Sequence, residues 1–243
     1  MTILFSAASA SLIVMTVDSS VALDFDDHRE YREESKVFPI QGVGCVTTWG
    51  ARDHNDIIEF LRKEVTSPDT LSIEAVADLV EHYLTKEYRP DQLALDDVGY
   101  HVAGFGDAGH PRLYHIFWGF DRPKPSDQKC RKYDRYDHSP PLNEVRFLYN
   151  GRNDLADFVV KKLLSEIARG RETRFDLNSS TDLALFGDFV ARFAAELTPE
   201  VGPPFYTFLI SPENQLQWIK NNSFCPVAES DVVKTLEGFG LRT

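Results

Sequence analysis

The chain has 243 residues, 42% of them apolar and 12% aromatic, with a formal net charge of −12. That apolar content supports a sizeable core and excludes wholesale disorder, while the acidic balance argues against nucleic acid or an anionic membrane as the main partner. Cys45, Cys130 and Cys225 are far apart and form no CxxC pair, which suits a reducing compartment better than a disulfide framework.

The opening MTILFSAASASLIVM is the one candidate for a signal sequence. It lacks a basic segment, is broken by small residues and runs into Asp18, so it reads as two buried strands, 2–8 and 12–18, joined at ASAS. No membrane span is expected, and the expected location is cytoplasmic. The acidic stretch 23–34 reads as a surface excursion, and Asp24, Asp26 and Asp27 in it as solvated residues, not metal ligands. Residues 36–49 hold two strands around a Gln-Gly turn. The period then changes: Ile57, Ile58 and Leu61 mark a helix over 54–64 with Asp53 as N-cap, and 72–88 is a second amphipathic helix capped by Ser72. Segments 98–106 and 111–121 alternate around DAGH as a hairpin, so the glycines of GFGDAG belong to a turn and not to a dinucleotide loop. Residues 122–144, with four prolines and many charges, read as a long surface loop. A strand at 145–150, helices at 154–168 and 181–197, and strands at 205–212 and 216–220 complete the chain.

This order predicts an α+β fold, a four-layer αββα sandwich of two antiparallel sheets flanked by helices. It forms a single domain over 1–243, interrupted by a surface insertion at 122–144. The seven histidines show no HxH or HExxH spacing, so no metal site is expected, and no cofactor is implied.

One ordered set of polar residues stands out. Thr2 follows the initiator methionine, Asp18 ends the second strand in VMTVDSS, Lys36 opens the next in SKVFPI, and Gly50 marks a strand-to-helix junction in TTWGARDHND. In type, order and spacing this set resembles the proteasome β-subunit and HslV-type peptidases, which are N-terminal nucleophile hydrolases. The resemblance is strongest over 2–64, extends to 97–119 and 145–164, and is one of topology alone beyond 180.

The resemblance implies a role for each residue. A threonine hydroxyl is a poor nucleophile and needs a base. Once Met1 is removed, the α-amine of Thr2 can be that base, since its ordinary pKa is about 7.7–8.0. A nearby Lys36 ammonium favours the neutral amine, Asp18 holds Lys36 in place, and the Gly50 N–H suits the oxyanion. Carrying over the family's specificity positions gives Val21, Glu34, Phe38, Thr48 and Arg52 as substrate-binding residues, with Glu34 and Arg52 able to pair across the pocket. Each catalytic residue also has a plain reading: Thr2 as a strand residue, Asp18 and Lys36 as an ordinary ion pair, Gly50 as a strand terminator.

Three departures mark the chain as divergent. Where the family carries a Gly-Ser-Gly turn, this sequence has Tyr149-Asn150-Gly151, which leaves Asn150 as the supporting residue. The late segment ELTPEVGPPFY lacks the family's aspartate and serine, with Glu200 as a conceivable substitute. Two extra residues separate Asp18 from Lys36, and the 122–144 insertion has no counterpart in small bacterial forms. These departures read as divergence from HslV in the direction of the Anbu-like bacterial proteasome homologues. The activity implied is a threonine-type peptidase acting on peptides or unfolded protein inside a homo-oligomer, with any unfoldase partner left open. The alternatives are a catalytically weak or inactive structural subunit of the same fold and a small-molecule amide hydrolase.

Overall fold

Strands β1 (Ile3–Ala8) and β2 (Ile13–Asp18) are buried along their whole length, which explains why neither shows polar alternation. Ile3, Phe5 and Ala7 enter one apolar core, while Leu4 and Ala8, on the other face, enter a second. The computed structural model describes residues 2–24, 28–33, 36–50, 54–65, 71–87, 98–120, 131–141, 143–151, 153–171, 175–198 and 201–220.

After β2 the chain forms a separate two-stranded hairpin, β3 (Ser20–Asp24) with β4 (Arg29–Glu33). Next come β5 (Val37–Ile40), β6 (Gly44–Gly50), α1 (His54–Glu64) and α2 (Ile73–His82). Then follow β7 (Val98–Phe105), β8 (Pro111–Phe120), β9 (Arg131–Asp137) and β10 (Arg146–Gly151). Helices α3 (Asn153–Ala168) and α4 (Ser180–Leu197) lead into β11 (Phe205–Ile210) and β12 (Leu216–Lys220). One five-stranded sheet has the order β10-β1-β2-β11-β12 and the other β5-β6-β7-β8-β9, with every pairing antiparallel.

Three apolar layers hold these elements together. Helices α3 and α4 bury Val159, Leu163, Phe186 and Val190 against the outer face of the first sheet. Helices α1 and α2 bury Ile57, Leu61, Val76 and Val80 against Val46, Val102 and Ile116 of the second. Between the sheets lie Leu4, Met15, Cys45, Trp49, Leu113 and Phe208. The expected α+β fold, a four-layer αββα sandwich, is the fold observed. Each large apolar side chain so buried contributes about 1.5–3 kcal/mol, well above the 0–1 kcal/mol of a typical surface ion pair. Among the described residues no helix is long and apolar enough to cross a membrane.

Several segments differ from the sequence reading. The 23–34 excursion contributes to the β3–β4 hairpin. Residues 131–137 of the expected surface loop are strand β9 on the edge of the second sheet. Its charges suit an edge, and Arg135 fastens it by donating to Asp78 at 2.6 Å and Glu81 at 2.9 Å on α2 while lying over the Tyr114 ring. The helix predicted over 72–88 is α-helical only to His82. Over Tyr83–Glu87 it widens into a π-turn, where the Thr85 hydroxyl competes for the carbonyls of Glu81 and His82. Ser72 caps α2 as expected, accepting from Ala75 N–H, whereas Asp53 lies outside the described residues.

Candidate functional site

Thr2 directly precedes β1, and Asp18 closes β2. Because β1 and β2 pair antiparallel with Leu4 opposite Val17, the start of one strand lies beside the end of the other. Asp18 Oδ1 accepts from the Ile3 backbone N–H at 3.0 Å, tying the carboxylate to the peptide that follows Thr2. Lys36 reaches this pair from the other sheet, its own carbonyl held by the Thr48 N–H at 3.0 Å. The Lys36 Nζ donates to Thr2 Oγ1 at 3.0 Å, to Asp18 Oδ1 at 3.0 Å and to the Ser20 carbonyl at 2.6 Å. An ammonium has three N–H groups, enough to serve each of these acceptors. Thr2 is 3% exposed, Asp18 0% and Lys36 1%.

Two buried charges are tolerable only when paired and hydrogen-bonded, and this pair is both. Burial pushes the Asp18 carboxyl above its ordinary range, while Lys36 and the backbone N–H groups of Ile3 and Gly202 pull it back. A lysine that donates to Oγ1 leaves the hydroxyl proton of Thr2 free to face another acceptor. It also places positive charge where an alkoxide would form.

Gly50 ends β6 with φ 109°, a left-handed conformation that glycine adopts without strain. Gly151, at the end of β10, has φ 92° and pairs with Ile3. A Cβ on Gly151 would lie 1.5 Å from the Thr2 carbonyl oxygen, so no side chain fits where β10 passes the threonine.

The structure thus brings Thr2, Asp18 and Lys36 together. Asn150 is buried but hydrogen-bonded elsewhere, its Oδ1 accepting from His101 Nε2 at 2.6 Å. Phe38 packs with the apolar cluster beneath α1 and α2. Thr48 is paired with Tyr100, which belongs to that same cluster, so its side chain faces the helices and its backbone supports Lys36. Val21 lies in β3 opposite Arg32. Glu34, Arg52 and Glu200 lie outside the described residues. The Ile3 N–H, the Ser20 carbonyl and the Gly202 N–H have no signal in the sequence, because they act through backbone atoms; Gly151 stands there only as part of the turn Tyr149-Asn150-Gly151. Among the described residues no group of His, Cys, Asp and Glu is arranged to hold a metal ion.

No protein-family model matches the chain, and no curated protein does either. Solved structures do. The Anbu protein in the helical assembly of the Anbu complex from Pseudomonas aeruginosa aligns with a TM-score of 0.61 at 13% identity, covering 98% of this chain and 92% of that one. Anbu from Yersinia bercovieri, described as an ancestral beta-subunit, gives 0.56 at 11% identity, covering 99% and 93%. Anbu from Hyphomicrobium sp. strain MC1 gives 0.56 at 11%, covering 91% and 88%. These matches correct the resemblance drawn from sequence: the neighbours are Anbu proteins, and none of them bears the HslV name. At such low identity, what this chain shares with them is the fold, a proteasome-like architecture.

Proposed function

We propose that the protein is a threonine-type peptidase whose nucleophile is Thr2 after removal of Met1. The observation that carries this reading is the buried Lys36 ammonium, donating to both Thr2 Oγ1 and Asp18 Oδ1 at 3.0 Å. In the reaction Thr2 Oγ1 attacks the scissile carbonyl carbon, and its proton passes to the freed α-amine of Thr2. Lys36 stabilises the oxygen as it loses that proton, Asp18 holds Lys36, and the Gly50 N–H donates to the oxyanion. Collapse of the tetrahedral intermediate breaks the C–N bond, and the departing amine takes the proton from the α-amine. Water, deprotonated by the same amine, then hydrolyses the acyl-enzyme and restores Thr2. Val21, Glu34 and Arg52 are assigned to substrate contact by position in the sequence, whereas Phe38 and Thr48 face the cluster beneath the helices. The assembly described for the Pseudomonas Anbu complex supports a homo-oligomer enclosing such sites.

The burial of Thr2 favours a second reading, a non-catalytic subunit of the same fold. Intact mass separates the two. Protein from its native host, incubated with a peptide β-lactone, should lack Met1 and gain one acyl adduct, which Thr2→Ala abolishes while the native mass of the assembly stays unchanged. A retained Met1 with no adduct, or an adduct that survives Thr2→Ala, sinks the peptidase reading.

A further inference from the structure

The layer between the sheets holds a polar group that the chemistry above does not use. His101 on β7 is fully buried, with Nδ1 2.9 Å from Ser6 Oγ and Nε2 2.6 Å from Asn150 Oδ1. The Asn150 oxygen can only accept, so Nε2 carries the proton and donates, while Nδ1 accepts from the Ser6 hydroxyl. Burial holds the imidazole pKa well below its ordinary value, in keeping with this neutral form. Ser6, His101 and Asn150 are thus joined in one buried hydrogen-bonded chain, an arrangement that rigidifies its surroundings.

The position of this network is what matters. Thr2 and Asp18 come with the first sheet, Lys36 and Gly50 with the second, so their separations depend on how the sheets sit on each other. The rest of the interlayer is largely apolar, and apolar contact has no direction. Ser6 stands on β1, the strand that Thr2 begins. Asn150 stands on β10, next to the Gly151 that backs onto the Thr2 carbonyl. His101 stands on β7, the partner of β6, whose Thr48 N–H holds Lys36.

We infer that His101 is a positioning residue: its two ring nitrogens tie β1 and β10 to the sheet that supplies Lys36, and so set the distance between Thr2 Oγ1 and Lys36 Nζ. The geometric part stands alone, and its kinetic consequence rests on Thr2 being the nucleophile. A comparable tie at the other end of β7 serves as a control. There Asn214 accepts from the Phe105 N–H at 2.6 Å and donates to its carbonyl at 2.9 Å.

The test compares wild type, the double variant His101→Phe/Asn150→Leu, and Asn214→Gly. The double variant leaves the buried Ser6 hydroxyl without its acceptor and replaces the other two groups by apolar ones, so it should fold and melt a few degrees below wild type. Saturation kinetics of Thr2 acylation by a peptide β-lactone, read by intact mass, should show kinact reduced about tenfold or more with KI little changed. A crystal structure of the double variant should place Lys36 Nζ beyond hydrogen-bonding distance of Thr2 Oγ1. Asn214→Gly should lower the melting temperature and leave kinact alone. A folded double variant with wild-type kinact and an intact Thr2–Lys36 contact overturns the inference. If wild type forms no adduct, the peptidase reading fails; the Thr2–Lys36 distance in the double variant then decides this inference by itself.

Discussion

Lys36 is the residue on which the candidate site turns, because one buried ammonium serves three acceptors on two different chain segments. Removing it leaves the Asp18 carboxyl buried without its counter-charge. Lys36→Met should therefore destabilise the fold by about 3–5 kcal/mol in urea denaturation, and adding Asp18→Asn should recover a substantial part. A loss below about 1 kcal/mol would show that the pair does not hold the sheets together. At this scale the sequence was legible wherever a side chain itself carries the interaction. Thr2, Asp18 and Lys36 could be picked out by type and spacing, and they meet. Phe38 and Thr48 were assigned by distance along the chain from Lys36 and Gly50, a rule blind to which face of the sheet a residue occupies. His101 had no local signature, since its partners Ser6 and Asn150 are 95 and 49 residues away.

The elements most readily predicted were those with one clear period. Helices α1, α3 and α4 and the β7–β8 hairpin fall within a residue or two of expectation, because a single apolar stripe or alternation fixes each. Strand β9 looks like loop in the sequence because RKYDRYD is the sequence of an edge, where charge replaces apolar patterning. Its attachment depends on long-range partners that sequence does not reveal: Arg135 bonds to Asp78 and Glu81 and covers Tyr114. Arg135→Ala should cost about 1 kcal/mol, the sum of a partly exposed ion-pair network and a cation–π contact. Hydrogen exchange should speed up along β9 while β6 and β7 stay protected; uniform exchange across the sheet would refute this attachment.

For the whole molecule, the buried histidines govern the response to acid. Burial lowers His115 to about 3, and His101 also lies well below the ordinary value of 6.5. His115 Nε2 has no hydrogen-bond partner among the described residues, and its ring lies against Phe117 and Trp49. Between pH 6.5 and about 3 the unfolded chain therefore binds more protons than the folded one, so stability is full above 6.5 and is lost as pH falls through this window. Asp18, raised by burial above the ordinary carboxylate value of 3.8, acts in the opposite sense. Each histidine contributes a slope approaching about 1.4 kcal/mol per pH unit. The urea midpoint should fall between pH 6.5 and 4.5, and His115→Phe should flatten that fall; an unchanged slope would show that His115 takes up its proton in the folded chain as readily as in the unfolded one.

The pairing of β1 with β10 also bears on how the protein is made. A ribosome releases β1 first, and β2 can join it at once, but the other edge of β1 waits for Arg146–Gly151 and the free edge of β2 for Phe205–Ile210. The sheet that Thr2 begins is thus completed only when most of the chain has been synthesised. Pairings so distant in sequence close slowly. Lys36 emerges early yet meets a seated Thr2 only late, so a nascent chain carries Thr2, Asp18 and Lys36 for about ten seconds of synthesis before they can be brought together. Products of translation truncated before Arg146 would carry the three residues without the strand that seats Thr2.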